Sequence, residues 1–136
     1  MSERWASAIL YLLGAWNIFA GASALADPAQ HLTQFYLGGL NLADPVQVFF
    51  YRATWINVSA WGLGYLLAAR RPAARVPVLA AGAAGKTAYF IAVFSLYLDG
   101  GATTTLLAFG VLDLLFAAMF AVILGIQRSR PAVLQS

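Results

Sequence analysis

Four long apolar runs divide this chain, and each carries a strongly polar residue near its middle. The runs cover about 6–26, 46–69, 78–98 and 104–126, and the interrupting residues are Asn17, Asn57, Lys86 and Asp113. Each run reaches the ~20 residues needed to cross a hydrocarbon core about 30 Å thick. The pattern predicts an all-α integral membrane protein, a single four-span bundle occupying residues 1–136.

The punctuation between runs supports this division. Asp27-Pro28-Ala29-Gln30 and Asp44-Pro45-Val46-Gln47 both read as helix starts. Asp serves as N-cap, Pro fits the first helical position, and Gln can close a capping box. The second start opens span two. The first opens a short amphipathic helix in the outer loop between spans one and two, ending before Gly38-Gly39. Leu32, Phe35, Tyr36 and Leu40 give it an apolar face expected to lie on the membrane surface as a connector, with a lid or docking surface as the second reading. The short turn at 70–77 makes spans two and three antiparallel neighbours, with Pro77 beginning span three. Asp99-Gly100-Gly101 ends span three, and the run Thr103–Thr105 can cap span four. The tail after Gln127 is short and basic, and is expected to fray.

Composition and charge add a compartment. Hydrophobic residues make up 62% of the chain and charged residues 10%, where soluble domains carry about 25% charged. Cysteine is absent, which excludes disulfides, thiolate metal sites and thiol catalysis. Arg4, Arg70, Arg71, Arg75, Arg128 and Arg130 flank span ends on one face; Asp27, Asp44 and Asp99 flank those on the other. The positive-inside rule then places both termini in the cytoplasm. Arg4, the first apolar run and Ala24-Leu25-Ala26 imitate a signal peptide, but Asn17 inside the run argues for a retained helix.

The interrupting residues form the candidate site. From a rise of 1.5 Å per residue, Asn17, Asn57, Lys86 and Asp113 all lie roughly 12–16 Å below a span edge, near one level. Arg52 is shallower, about 8–9 Å from the outer edge. Helical spacing gives each span a stripe expected to face the interior: Gly14, Asn17, Gly21 and Ala24; Thr54, Asn57, Trp61 and Gly64; Gly82, Gly85, Lys86 and Tyr89; Gly110, Asp113 and Ala117. A Lys or Asp at a helix centre costs about 2.5–3.5 kcal/mol on insertion scales, so partners are required. Asp113 can pair with Lys86 or with Arg52, or stand without a direct partner.

Functional candidates are therefore Lys86, Asp113, Asn17, Asn57, Arg52, Tyr89 and Trp61. Each has a plainer structural role: a fixed ion pair for Lys86 and Asp113, interhelical hydrogen bonding for the two Asn, snorkelling for Arg52, and packing for Tyr89 and Trp61. His31 stands alone in the outer loop without the neighbours a metal ligand needs. The stretch 80–87 imitates a phosphate loop, yet it lies inside a membrane span, which removes the strand and aqueous helix start that the motif requires. No nucleotide, nucleic acid, metal or other cofactor is expected, and no hydrolytic or redox constellation is present.

Trp16-Asn17 with Gly21, Gly62-Leu63-Gly64-Tyr65 running to Ala68-Ala69-Arg70, Gly82 with Gly85-Lys86, and Asp113-Leu114-Leu115-Phe116-Ala117 carry a resemblance. Together they resemble an uncharacterised family of small four-helix bacterial inner-membrane proteins. That resemblance implies the bundle and carries no activity with it.

Three functions remain open at this point. An accessory or structural membrane component, whose polar layer fixes helix register, stands first. A small proton-linked or charged-solute transporter acting as a homo-oligomer stands second. A binding protein or enzyme for a lipid, quinone or isoprenoid stands third. Membrane lipids, a second copy or another membrane protein are the partners these readings imply.

Overall fold

The computed structural model describes residues 3–128, with side chains at 4–126, and every element in it is helical. The helices are α1 (Glu3–Ala26), α2 (Pro28–Phe35), α3 (Pro45–Arg70), α4 (Arg75–Leu98) and α5 (Thr104–Arg128), with a short 3-10 turn, Pro72–Ala74, before α4. Three are long and apolar enough to cross a membrane: α1, α4 and α5. α3 matches them in length but carries Gln47, Arg52, Thr54, Asn57 and Ser59. Arg130 and the expected basic tail lie outside the described residues, apart from Arg128, which closes α5.

The helix starts follow from their caps. Asp27 accepts from the Gln30 backbone N–H at 3.0 Å. Asp44 accepts from the backbone of Val46 and Gln47 at 2.8 and 3.4 Å. The Gln47 side chain bonds the Asp44 carboxylate and the Asn41 backbone, rather than the cap's own N–H as a capping box would. These backbone donors hold the Asp44 carboxyl below its ordinary pKa. Thr103 accepts from Leu106 N–H at 3.2 Å and caps α5. Gly100 takes φ +73°, a left-handed conformation suited to glycine, as the chain leaves α4.

α1 packs along α3, and α4 along α5; the two pairs share much less contact with each other. Spans two and three were expected to be the neighbours, and their short turn does join them. The α1–α3 pairing is set by small residues. A Cβ on Gly14 would lie 2.9 Å from Gly62 O, and one on Gly62 2.8 Å from Gly14 O, so the α1 and α3 backbones touch. In the other pair, Leu79 and Phe120 share one core cluster, Lys86 bonds Asp113, and Val93 and Leu106 share another cluster. Those positions step by seven residues along both antiparallel helices, the repeat of a left-handed pair.

One end of the bundle is shut by Leu10, Leu13, Tyr65, Ala68, Leu79 and Phe120 from all four long helices. Arg75, read from sequence as a flanking surface charge, is only 2% exposed there. Its guanidinium donates to Ala68 O at 3.0 Å, Ala69 O at 3.3 Å and Ser7 Oγ at 2.7 Å, satisfying carbonyls at the end of α3.

The other end is roofed by α2. Its apolar face was expected on the membrane surface; the structure turns it onto the bundle. Leu32 is buried with Ala24 and Tyr51, while Phe35 and Tyr36 pack against Val93, Ala102 and Leu106. Leu37 N–H donates to Gly101 O and Thr103 N–H to Phe35 O, both at 3.0 Å, forming a one-residue antiparallel bridge between Tyr36 and Ala102. Burial of Tyr36 raises its pKa. The roof therefore ties the α1–α3 pair to the α4–α5 pair.

Candidate functional site

A cavity of about 510 Å³ lies between the shut end and the roof, lined by residues of α1 to α5. That volume falls in the ~300–1,000 Å³ range of small-molecule sites. Its floor is polar. The α4–α5 register sets Lys86 beside Asp113, and the Lys86 ammonium donates to Asp113 Oδ1. The same ammonium lies 5.6 Å from the centroid of the Phe116 ring, a cation–π contact. Side-chain exposure is 9% for Lys86 and 22% for Asp113, so the carboxylate is the more open partner. Asn17, 8% exposed, lines the same cavity from α1.

Much of this polar capacity is left over. An ammonium has three donors and a carboxylate has two acceptor oxygens, while the pair bonds through one oxygen. Among the described residues the Asn17 amide makes no hydrogen bond, and neither do the hydroxyls of Tyr65 and Tyr89, which also line the cavity. The glycines of α4 shape the floor in two ways. A Cβ on Gly82 would meet Tyr65 Oη at 2.7 Å, whereas one on Gly85 would meet nothing within 4 Å. Gly82 lets α3 approach; Gly85 keeps cavity space open.

The walls are aromatic. Trp16 stacks on Phe109 at 5.9 Å, and Phe109 meets Phe35 edge-on at 5.5 Å. His31 joins this chain of rings at the roof, 4.5 Å from both Phe35 and Trp55. The cavity also has open edges: Trp16 and Phe19 on α1, Thr54 and Trp61 on α3, and Ala81 and Gly85 on α4 line it while remaining exposed.

The sequence-derived candidates divide clearly. Lys86, Asp113, Asn17, Tyr89 and Trp61 all line the cavity, and Lys86 is the partner of Asp113. Arg52 is exposed and lines no part of it. Asn57, expected in the interior layer, is a correction: it is exposed and outside the lining. The Gly62 contact with α1, with Tyr51, Tyr65 and Ala69 buried, fixes the rotation of α3 and turns Asn57 outward. It sits one position, about 100° around the helix, from the lining residue Val58. His31 is the residue that sequence reasoning set aside and the fold brings in. Its signal was the capped helix start four positions earlier, which makes α2 a fixed element. Among the described residues no three His, Cys, Asp or Glu side chains gather as a metal site. The phosphate-loop look-alike at 80–87 lies within unbroken α4. The chain matches no family model, no curated protein and no solved structure.

Proposed function

We propose that this membrane protein binds one small amphipathic molecule, of the lipid, quinone or isoprenoid kind, in the cavity between its two helix pairs. One observation carries the reading: Lys86, Asp113 and Asn17 keep unused hydrogen-bonding capacity at the floor of a chamber whose walls are mostly apolar and rich in rings. A polar layer serving only helix register would consume its donors and acceptors across helices. Here Asn17 spends none on α3, although Gly14 and Gly21 beside it make the close contact. The open edges at Trp16, Trp61 and Gly85 belong to helices of bilayer-crossing length, so the molecule would enter from the lipid. One chain holds the whole site.

This reading goes with four crossings of a bacterial inner membrane and cytoplasmic termini. Arg4, Arg70 and Arg71 stand at the shut end, while Asp27, Asp44 and Asp99 stand at the roofed end. On α3, Thr54 faces the cavity and Arg52, near its outer start, is placed to reach headgroups.

Native mass spectrometry from a mild detergent extract tests the binding. Wild type is expected to retain one small molecule per chain. Lys86→Met with Asp113→Leu is expected to lose it while keeping its helical circular dichroism. A wild type that carries nothing, or a double variant that retains the same molecule, contradicts the proposal and returns the polar layer to a structural role.

A further inference from the structure

His31 is the one ring of the cavity wall that can also bond as a polar group through two nitrogens, and the floor chemistry leaves it unused. Its imidazole lines the roof end, between Phe35 and Trp55 at 4.5 Å each and Tyr51 at 5.8 Å. Nδ1 is buried and has no hydrogen-bond partner among the described residues. A buried polar atom without a partner is costly, so a mere spacer would be better served by Phe or Leu. A neutral imidazole carries one N–H and one lone pair, and the rings beside it bear on which nitrogen holds the proton. The face of an aromatic ring is negative, so it accepts an N–H and repels a lone pair. A proton on Nδ1 leaves Nε2 its lone pair. Burial lowers the pKa of this imidazole, which keeps the ring neutral near pH 7.

We propose, building on the binding reading above, that Nε2 of His31 accepts a hydrogen bond from a hydroxyl or N–H group of the bound molecule. The molecule then has two polar ends. One meets Lys86, Asp113 and Asn17 at the floor; the other carries a donor at the roof. Asn17 and Ser23 both line the cavity, and six helical positions put them about 9 Å apart along α1, with the roof beyond. An apolar body of one or two rings fits that interval between Trp55 and Phe109.

Acid should undo the contact, because imidazolium cannot accept. The groups that face His31 do not offset this. Asp27, at the end of α1, caps the Gln30 N–H. Tyr51 on α3 donates to Ala24 O. Tyr36 follows α2 with its ring 6.5 Å away. Tyr89 on α4 lines the chamber, and the Lys86–Asp113 pair is neutral as a unit at the floor.

Two probes of the same shape separate the contributions: para-hexylphenol, which has a donor, and para-hexylanisole, which has none. Binding to the protein in lipid nanodiscs is read from quenching of Trp16, Trp55 and Trp61, at equal probe concentration in the bilayer. Wild type is expected to prefer the phenol about tenfold, with the preference lost as acid protonates the ring. His31→Phe is expected to lose most of that preference, its phenol affinity falling toward the anisole value. His31→Gln, whose amide oxygen accepts, is expected to recover part of the preference without its pH dependence. Equal binding of both probes by wild type, or an undiminished phenol preference in His31→Phe, overturns the role of His31 and leaves the cavity as a binding site. Quenching by neither probe overturns both.

Discussion

At the scale of single residues, Lys86 and Asp113 stabilise each other in a place where either alone would be costly. Breaking a buried pair from one side leaves an uncompensated charge, at about 3 kcal/mol here. Lys86→Met should therefore unfold more easily than Lys86→Met with Asp113→Leu, which removes both charges and should fall within about 1 kcal/mol of wild type. Denaturant titration in mixed micelles, followed by circular dichroism, checks the order. His31 makes a different prediction. Burial lowers its folded pKa, so as pH drops below about 6.5 the unfolded chain takes up the proton first. The contribution is fully present above that pH and declines as pH falls toward the lower folded value. Melting temperatures measured between about pH 5 and 8 should slope downward with acid in wild type, and more shallowly in His31→Phe. Lys86, Asp113 and Asn17 were legible in the sequence because a charge or an amide inside an apolar run has few explanations. His31 was not, because an isolated His in a loop acquires meaning only when that loop folds onto a cavity.

At the scale of elements, the glycines separate two functions that look alike in sequence. Gly14→Leu pushes a side chain against the Gly62 backbone and Leu66, and should destabilise the α1–α3 pair by about 1–3 kcal/mol. Gly85→Ala meets nothing, removes a helix-weakening glycine and should stabilise by up to about 1 kcal/mol. Thermal unfolding of the two variants side by side tests the contrast. Thr103 both caps α5 and donates to Gln34 O and Phe35 O at 3.1 Å. Thr103→Val should cost about 1 kcal/mol and speed hydrogen exchange at Leu37 and Leu106. Helix boundaries were readable from the Asp-Pro caps and the apolar runs. The rotation of α3 was not: Thr54, Asn57 and Trp61 and the set Tyr51, Gly62, Tyr65 and Ala69 share the same helical period. Only the backbone contact with α1 chooses between them. The position of α2 was hidden for a related reason, since its apolar face suits a membrane surface and a bundle mouth equally well.

For the whole molecule, two tight helix pairs joined at a shut end and strapped at a roofed end leave a chamber where a close-packed four-helix bundle would have a core. Native interiors are densely packed, with few voids larger than a water, whereas this chamber of about 510 Å³ opens at its edges and can admit a molecule from outside. The all-helical, membrane-directed architecture followed from hydropathy alone; the chamber depends on how the pairs splay, which no periodicity encodes. The most direct measurement is an experimental structure determined in nanodiscs of native lipid extract. It should show elongated density touching Lys86, Asp113 and Asn17 at one end and reaching the His31 ring at the other. Helix pairs closed against each other, with Trp16, Trp61 and Tyr89 filling the space and no density between them, would contradict the account.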